Sequence, residues 1–328
     1  MGSVEAEVRV VHTRWLAMAA EVILAALVVV GVLASGSVFP ILGVFLSLLS
    51  PLPFVLLRLR HGFPGLALAL ALTTVALGGL TSAQQGLAFL LEYGLPAILL
   101  AEGLRRASRP EVVVTGVAAL LTLGGVGVLV LASDQWARPL AAVSQHVEAL
   151  LGNMEAFTAR VGLTGEGPPP LVGSAGMLRT FLLMAFPGLF FAGSLLTASG
   201  YMLLLRSLIQ RWPTQLGGLT PPPFRWELPE LLVWAFIGAG TLYLTGLPWL
   251  QAVGLNVLII LLGLYFLQGL SIAAFLFQRF HLPRVLATLS VLLLLFQPFL
   301  TLLVAGVGLF DVWFAFRRLS VPKTPGRT

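Results

Sequence analysis

Two acidic side chains stand inside long apolar stretches of this sequence, where an uncompensated charge is costly. Glu21 and Glu92 are the carboxylates placed deepest in such stretches. At membrane depth a polar side chain costs several kcal/mol unless protein or a water-filled cavity surrounds it, and intramembrane carboxylates often mark a substrate or proton path. We therefore predict ligand contact for Glu21 and Glu92, with a structural role as the alternative.

The stretch "NVLIILLGLYFLQGLSIAAFLFQRF" carries two amides, Asn256 and Gln268. Twelve residues at about 100° each place them about 120° apart around a helix and about 18 Å apart along it. One narrow stripe cannot contain both, so we expect a helix buried on several sides. Tyr265, one turn before Gln268, can join the second amide. Interhelical hydrogen bonds average about 0.6 kcal/mol, so we predict that both amides stabilise helix packing. Ligand contact is the alternative.

The remaining candidate is Arg179, at the mouth of a later apolar stretch. Its long side chain predicts a snorkelling interfacial residue, with anion binding as the alternative. The full set of candidate ligand-binding residues is Glu21, Glu92, Tyr265, Gln268, Asn256 and Arg179.

Catalytic and metal-binding patterns are missing from the sequence. There is no cysteine, and the four histidines show no metal-ligand spacing. Lys323 is the only lysine, so the Gly-Lys-Ser/Thr of a phosphate-binding loop is absent. No serine-hydrolase elbow or pair of catalytic carboxylates occurs. We expect no metal, no cofactor, no ATPase of its own and no enzymatic activity.

The elements that must position these residues are membrane helices. The 328-residue chain is 58% hydrophobic and 10% charged, with a mean hydropathy of +0.98, whereas soluble domains are about 25% charged. A membrane core about 30 Å thick needs roughly 20 apolar residues per helix. This composition predicts an all-α polytopic transmembrane helix bundle surrounded by lipid. The net charge of +6 comes from short arginine clusters between apolar runs, which indicates topology signals and no nucleic-acid surface.

The apolar runs number nine, and they are 15–34, 38–57, 64–83, 87–104, 112–132, 177–208, 229–246, 250–277 and 283–316. Basic residues fall in every second connection, which predicts a cytoplasmic N-terminus. Three runs open with Leu-Pro, at Pro229, Pro248 and Pro283, and proline suits the first turn of a helix. We therefore predict helix starts at these prolines.

The last run is long enough to raise a question of topology. It has about 34 residues, roughly 50 Å as one helix, which exceeds the membrane core. Gln297-Pro298 lies near its middle, where proline removes a helix hydrogen bond. A break there gives about ten membrane segments and a cytoplasmic basic tail. The alternative is nine spans with a tilted last helix and an exterior tail.

One sizeable polar connection separates the halves of the chain. Its apolar residues follow a heptad pattern at Leu140, Val143, Val147, Leu150, Met154, Phe157 and Val161. This pattern predicts an external amphipathic helix over 140–161 that lies on the membrane surface or on its own bundle. A self-associating coiled coil or protein-partner site and a mobile lid are the alternatives.

The predicted organisation follows from these boundaries. It consists of a cytoplasmic N-terminal segment (1–14), a first transmembrane bundle of about five spans (15–132), an external loop (133–176), a second bundle of four spans or five segments (177–316) and a basic cytoplasmic tail (317–328).

Four motifs support a resemblance to a known family. They are "PLPFVLLRLRHG" from Pro51, "LPELLVW" from Leu228, "NVLIILLGLYFLQGLSI" from Asn256 and "GLFDVWFAFRR" from Gly308. The chain resembles the YybS-like family of bacterial polytopic membrane proteins, a domain of unknown function. This family is distantly similar to the substrate-binding membrane components of energy-coupling-factor vitamin transporters. Those components bind a small molecule and rely on a separate coupling protein with two ATPases.

We therefore expect a small-molecule binding or transport component of the bacterial cytoplasmic membrane. The alternative is a membrane scaffold that binds protein partners and transports nothing.

Overall fold

A computed structural model describes most of the chain. The described residues are 2–38, 46–132, 141, 143–145, 147–149, 151–153, 175–212 and 226–314. Every regular element among them is helical, which confirms the predicted all-α class. The helices are α1 (Gly2–Val38), α2 (Pro51–Leu80), α3 (Ala83–Phe89), α4 (Leu95–Arg105), α5 (Pro110–Ala132), α6 (Ala175–Arg211), α7 (Leu231–Leu244), α8 (Pro248–Arg279), α9 (Arg284–Phe296) and α10 (Pro298–Phe314).

Six helical stretches in these ranges are long and apolar enough to cross a membrane. They are Trp15–Ser35, Pro51–Leu80, Ala83–Arg105, Pro110–Val130, Gly176–Arg211 and Pro248–Arg279. Two shorter apolar helices are Leu231–Leu244 and Phe299–Phe314. The chain therefore has the composition and the helices of a multi-span membrane protein.

The second and third apolar runs meet within α2, whose backbone is not helical at Gly62, so two helices join at that residue. Residues 51–80 belong to α2, which is kinked where Gly62 has φ 75°. Pro64 lacks an amide hydrogen and its ring opposes the carbonyl four residues earlier, so the helix bends there. Glycine accepts the left-handed backbone at the bend without the penalty of a Cβ. Residues 39–45 of the predicted second span lie outside the described part.

Prolines set other helix boundaries nearly as predicted. The predicted break at Gln297-Pro298 is present, because α9 ends at Phe296 and α10 begins at Pro298. Pro248 opens α8, as expected. The helix starts predicted at Pro229 and Pro283 lie one or two residues before the observed ones. Helix α7 begins at Leu231, and Pro283 caps α9, which starts at the next residue.

The predicted helix over 140–161 is described only in part. The described residues between 141 and 153 are helical, and Val147 is buried. Five members of the heptad pattern, Leu140, Leu150, Met154, Phe157 and Val161, lie outside the described residues, as does the tail from 317.

The chain divides into two compact units. The first unit comprises Met1–Arg179 and Ser194–Pro223, and the second comprises Thr180–Gly193 and Phe224–Thr328. In the first unit α2 packs against α1, α3 and α4, and α4 packs against α5. In the second unit α8 packs against α7 and α10.

Close backbone approach holds α8 and α10 together in the second unit. A Cβ added at Gly308 of α10 would overlap the carbonyl oxygen of Tyr265, and one added at Gly269 of α8 would overlap that of Val304. Lipid supplies no hydrophobic force between membrane helices, so they associate largely through such tight packing. These two glycines therefore set the distance between α10 and α8, the helix that carries both Tyr265 and Gln268.

Candidate functional site

The helical stretch 83–105 is interrupted by one π-helical turn, Leu90–Gly94. The Leu95 amide donates to the Leu90 carbonyl, five residues earlier. Pro96 explains the change of register, because it has no amide hydrogen for the carbonyl of Glu92 and its ring crowds that carbonyl. Turns of this kind occur frequently at functional sites. Glu92 lies within this turn.

Helix α5 makes room for the widened turn. A Cβ added at Gly124 would lie 3.0 Å from the Leu91 carbonyl oxygen. Any larger residue at this position would push against the backbone of the turn. The pairing of a proline on one helix with a glycine on its neighbour therefore positions Glu92.

The carboxylate of Glu92 has no partner within the part of the chain that the structure describes. It makes no hydrogen bond and no ion pair there, and the side chain is half-buried. A carboxylate in an apolar span is expensive without a counter-charge or hydrogen-bond donors. Of the predicted site residues in the first unit, Glu92 is therefore the one whose polar group forms no hydrogen bond or ion pair within the described residues.

Two aromatic residues, Phe89 and Tyr93, flank Glu92 along the chain. Tyr93 stacks on Phe89 with ring centroids 5.9 Å apart, and Phe89 meets the edge of Phe54 at 5.6 Å. The Tyr93 hydroxyl lies within hydrogen-bonding reach of Ser47. Tyr201 of α6 lies in the neighbourhood of Tyr93 and Glu92. We call Glu92, Tyr93, Tyr201, Phe89 and Phe54 the Glu92 cluster.

This arrangement places one negative charge and two phenol hydroxyls within a single unit. The side chains of Phe54, Phe89 and Tyr201 are at most 3% exposed, so the protein itself covers their rings. A carboxylate accepts hydrogen bonds, a tyrosine hydroxyl both donates and accepts them, and an aromatic face attracts cations. The chemistry of the Glu92 carboxylate suits a group that is positively charged or donates hydrogen bonds.

Glu21 has basic neighbours that the sequence did not reveal. Both of its carboxylate oxygens lie 3.2 Å from the Arg60 guanidinium, and one lies 3.1 Å from Nε2 of His61. Glu21 is therefore paired, in contrast to Glu92. Both predicted carboxylates belong to the first unit, together with Arg179.

A second acidic residue of the first unit is also paired. Arg58 donates two hydrogen bonds to the Glu102 carboxylate, at 2.9 and 2.5 Å. Arg106 approaches the same carboxylate at 3.8 Å. The Arg58 side chain is only 10% exposed and has little access to water. The Glu102 carboxylate therefore compensates a cation that water solvates poorly.

Asn256 serves the backbone of a neighbouring helix. Its Oδ1 accepts a hydrogen bond of 2.6 Å from the Gly188 amide, and its Nδ2 donates to the Met184 carbonyl at 2.7 Å. An α-helix would pair these two backbone groups directly, and Pro187 lies beside them in α6. A third bond runs from Nδ2 to the Ala252 carbonyl at 2.8 Å. The amide of Asn256 is thus fully used as a bridge into α6.

Gln268 is also occupied at both ends of its amide. Its Nε2 donates to Asp311 at 3.1 Å, and its Oε1 accepts from the Leu228 amide at 3.3 Å. Tyr265 packs edge-on against Phe236. Its buried hydroxyl has no hydrogen-bond partner among the described residues. Asn256, Tyr265 and Gln268 all belong to the second unit.

Arg179 forms a surface ion pair. It donates to Glu148 at 2.5 Å, and both side chains are about half exposed. Glu148 belongs to the segment predicted as the external amphipathic helix. The pair therefore joins that segment to the start of α6 within the first unit.

Two other features bear on what the chain can bind. Among the residues described, no group of three or more His, Cys, Asp or Glu side chains could hold a metal ion. An apolar groove of about 470 Å³ lies between α1 and α2. None of the predicted ligand-binding residues lines it, and its apolar walls suit lipid.

Sequence reasoning identified Glu92 and missed the rest of its cluster. The available signals were the spacing of Phe89 and Tyr93, which places two rings on one helix face, and the proline that follows at position 96. Tyr201 and Phe54 are distant in the chain, and only the fold brings them near.

Comparisons with known proteins give one match. No curated protein and no solved structure matches the chain. Residues 23–312, which include both units' principal helices, match the family described as "Predicted membrane protein (DUF2232)". Because the match covers most of the sequence, the chain belongs to this predicted membrane protein family of unknown function.

Proposed function

We propose that this membrane protein binds or transports a small molecule and that the Glu92 cluster is its binding site. The observation that carries the proposal is a half-buried carboxylate, on a π-helical turn of an apolar helix, with no partner in the described structure. An apolar residue at this position would avoid the cost of a carboxylate in an apolar helix. The presence of Glu92 therefore favours a ligand that compensates its charge. The proposed role is binding without catalysis.

The wider setting is also a proposal. A phosphate-binding loop is absent, so movement of a substrate would draw on another source of energy, such as a separate coupling protein of the energy-coupling-factor kind. We place the protein in the bacterial cytoplasmic membrane with its N-terminus inside and with nine to ten membrane segments. The basic connections support this orientation. The break between α9 and α10 favours ten segments.

The test is mass spectrometry of the small molecules released from gently purified protein. The parent is compared with Glu92→Gln, which removes the charge while keeping the shape of the side chain. Glu230→Gln is the matched control, because Glu230 is exposed and its side chain caps no helix. A compound near equal stoichiometry in the parent and in the control, and lost from Glu92→Gln, supports the proposal.

Two outcomes contradict the proposed function. Lipid as the only released species in all three proteins removes the case for a bound small molecule. A compound that persists in Glu92→Gln shows that a ligand binds elsewhere. Glu21→Gln then distinguishes a general effect of intramembrane charge from an effect specific to Glu92.

The alternative, a scaffold that binds protein partners through the heptad segment, has less support. Val147, which lies in the middle of that pattern, is only 1% exposed. Its side chain is already covered by this chain, so a partner would have to displace that packing. A charged residue at Val147 would then unfold the first unit along with any complex.

A further inference from the structure

Three exposed arginines lie on the short connection between α4 and α5. Helix α4 ends at Arg105 and α5 begins at Pro110, so only residues 106–109 join two stretches that are long and apolar enough to cross a membrane. Arg105, Arg106 and Arg109 are all exposed. Four residues reach only a short distance, because an extended chain spans about 3.5 Å per residue. These side chains therefore lie close to the lipid headgroups.

Backbone hydrogen bonds define this connection. The Ala107 amide donates to the Leu104 carbonyl at 3.2 Å. The Ser108 amide donates to the Gly103 carbonyl at 3.0 Å, which completes a Schellman motif with Ala107 in the left-handed conformation. The Arg109 carbonyl then accepts the first hydrogen bonds of α5. One defined turn therefore carries all three arginines, and we call residues 105–109 the arginine turn.

The charge of the arginine turn is largely uncompensated within the described residues. Glu102 accepts two hydrogen bonds from Arg58, and Arg106 approaches the same carboxylate only at 3.8 Å. The Arg106 side chain is 77% exposed. The side chains of Arg105 and Arg109 make no ion pair and no hydrogen bond in the described part of the chain. The turn therefore presents an exposed positive patch.

Helix stability accounts for only part of this pattern. A cation in the last turn of a helix is favourable, which is sufficient reason for Arg105. Arg109 immediately precedes α5, where the positive end of a helix disfavours a cation. Glu111 lies in the first turn of α5 but forms no ion pair with these arginines in the described structure. An anion beside the turn would stabilise both Arg109 and the helix end.

The other end of the same helical stretch has no such patch. The stretch 83–105 follows Thr81 and Ser82, and this connection to α2 carries no charged residue. Guanidinium groups bind phosphate oxygens through paired N–H donors. A basic residue at the membrane surface raises the affinity for anionic lipid about fivefold. The charge of the turn and its place beside the headgroups therefore both suit an anionic lipid.

We propose that the arginine turn binds the phosphate headgroup of an anionic phospholipid in the membrane leaflet that it faces. Arg105, Arg106 and Arg109 compensate the charge of the headgroup, while its acyl chains stay in the bilayer. This inference does not depend on the Glu92 cluster. It also goes beyond membrane topology, because arginines that only direct the insertion of the chain give the folded protein no preference among lipids.

The experiment measures the lipid that the full chain retains. The protein is purified in neutral detergent with equal amounts of phosphatidylglycerol and phosphatidylcholine of identical acyl chains. The lipids that remain bound after gel filtration are quantified by mass spectrometry. We expect the anionic lipid to be retained about tenfold over the zwitterionic one at low salt. The preference should fall at about 1 M sodium chloride, where the Debye length is only about 3 Å.

Variants assign the preference to the arginine turn. Arg105→Gln, Arg106→Gln and Arg109→Gln should each lower it by up to about fivefold, and the triple glutamine variant should retain both lipids equally. The triple lysine variant keeps the charge and should keep most of the preference. Arg179→Gln is the matched control, because Arg179 is exposed but already paired with Glu148. Equal elution profiles and unfolding temperatures confirm that the variants are folded.

Four results would overturn the proposal. The first is equal retention of the two lipids by the parent, and the second is a preference that persists in the triple glutamine variant. The third is a loss in Arg179→Gln as large as that in Arg105→Gln, which would indicate a general effect of net charge. The fourth is thermal stabilisation by glycerol 3-phosphate as strong as that by phosphatidylglycerol, which would identify a free phosphate compound as the ligand instead of a lipid.

Discussion

Glu92 in the first unit and Asn256 in the second are both polar residues inside apolar helices. Each lies near a proline, Pro96 on the chain of Glu92 and Pro187 on the helix that Asn256 contacts, but their bonding differs. Asn256 uses its amide in three hydrogen bonds, two of which bridge backbone groups of α6 near Pro187. Glu92 lies on a turn widened at Pro96 and makes no bond in the described structure. The hydrogen bonds of each side chain distinguish a structural amide from a candidate ligand-binding carboxylate. The residue type alone does not make this distinction.

The largest expected effect tests whether packing in the second unit is as tight as its glycines indicate. Gly308→Val would force a side chain into the carbonyl of Tyr265, so we expect a loss of about 3 kcal/mol in the free energy of unfolding. Gly306→Val is the matched control, because no atom lies within 4 Å of a Cβ added there. Equal stability of the two variants in a detergent unfolding assay would refute the close contact of α8 and α10.

The second prediction tests whether the hydrogen bonds of Asn256 stabilise the second unit. Asn256→Leu would leave the Gly188 amide and the Met184 carbonyl without their bridge, and we expect a loss of about 2 kcal/mol. Gln251→Leu on the same helix should change stability by less than about 0.5 kcal/mol, because no hydrogen bond of its side chain appears in the described structure. If both variants are equally stable, the bridge into α6 contributes nothing.

The third prediction compares two ion pairs of equal length in the first unit, whose expected costs differ by about 1.5 kcal/mol. Arg58–Glu102 and Arg179–Glu148 both have a shortest distance of 2.5 Å, but the first arginine is 10% exposed and the second 47%. Glu102→Gln should cost about 2 kcal/mol because a shielded cation loses its partner. Glu148→Gln should cost about 0.5 kcal/mol, as for a solvent-exposed pair. A reversed order would show that burial does not determine the strength of these pairs.

The sequence predicted the parts of the fold that local chemistry controls. Composition was enough for the all-helical class, and the break at Pro298 followed from the missing amide of proline. The sequence placed a boundary near Gly62 but did not show whether it is a sharp kink or a longer connection, because both bring polar residues, a glycine and a proline. The number of membrane segments depends on whether the chain kinks or reverses direction at such a boundary, and residue spacing does not determine this.

The site was only partly predictable for a related reason. Glu92 could be found because an acidic residue in an apolar run is conspicuous. The partners of Glu21 are 39 and 40 residues away, and the Met184 carbonyl that Asn256 binds is 72 residues away. Such contacts arise when helices pack, and no periodicity in a single chain encodes them. Only the fold therefore shows that Glu21 is paired and that Glu92 has no partner among the described residues.

The most direct test of this comparison is the free energy of unfolding of Glu92→Gln, measured beside Asn256→Leu without added ligand. A carboxylate that the fold leaves unpaired costs stability, so its neutral amide should leave the protein as stable as the parent or more stable. Asn256→Leu should be destabilised by about 2 kcal/mol under the same conditions. A loss in Glu92→Gln as large as that in Asn256→Leu would contradict the account, because it would mean that the fold depends on the charge of Glu92.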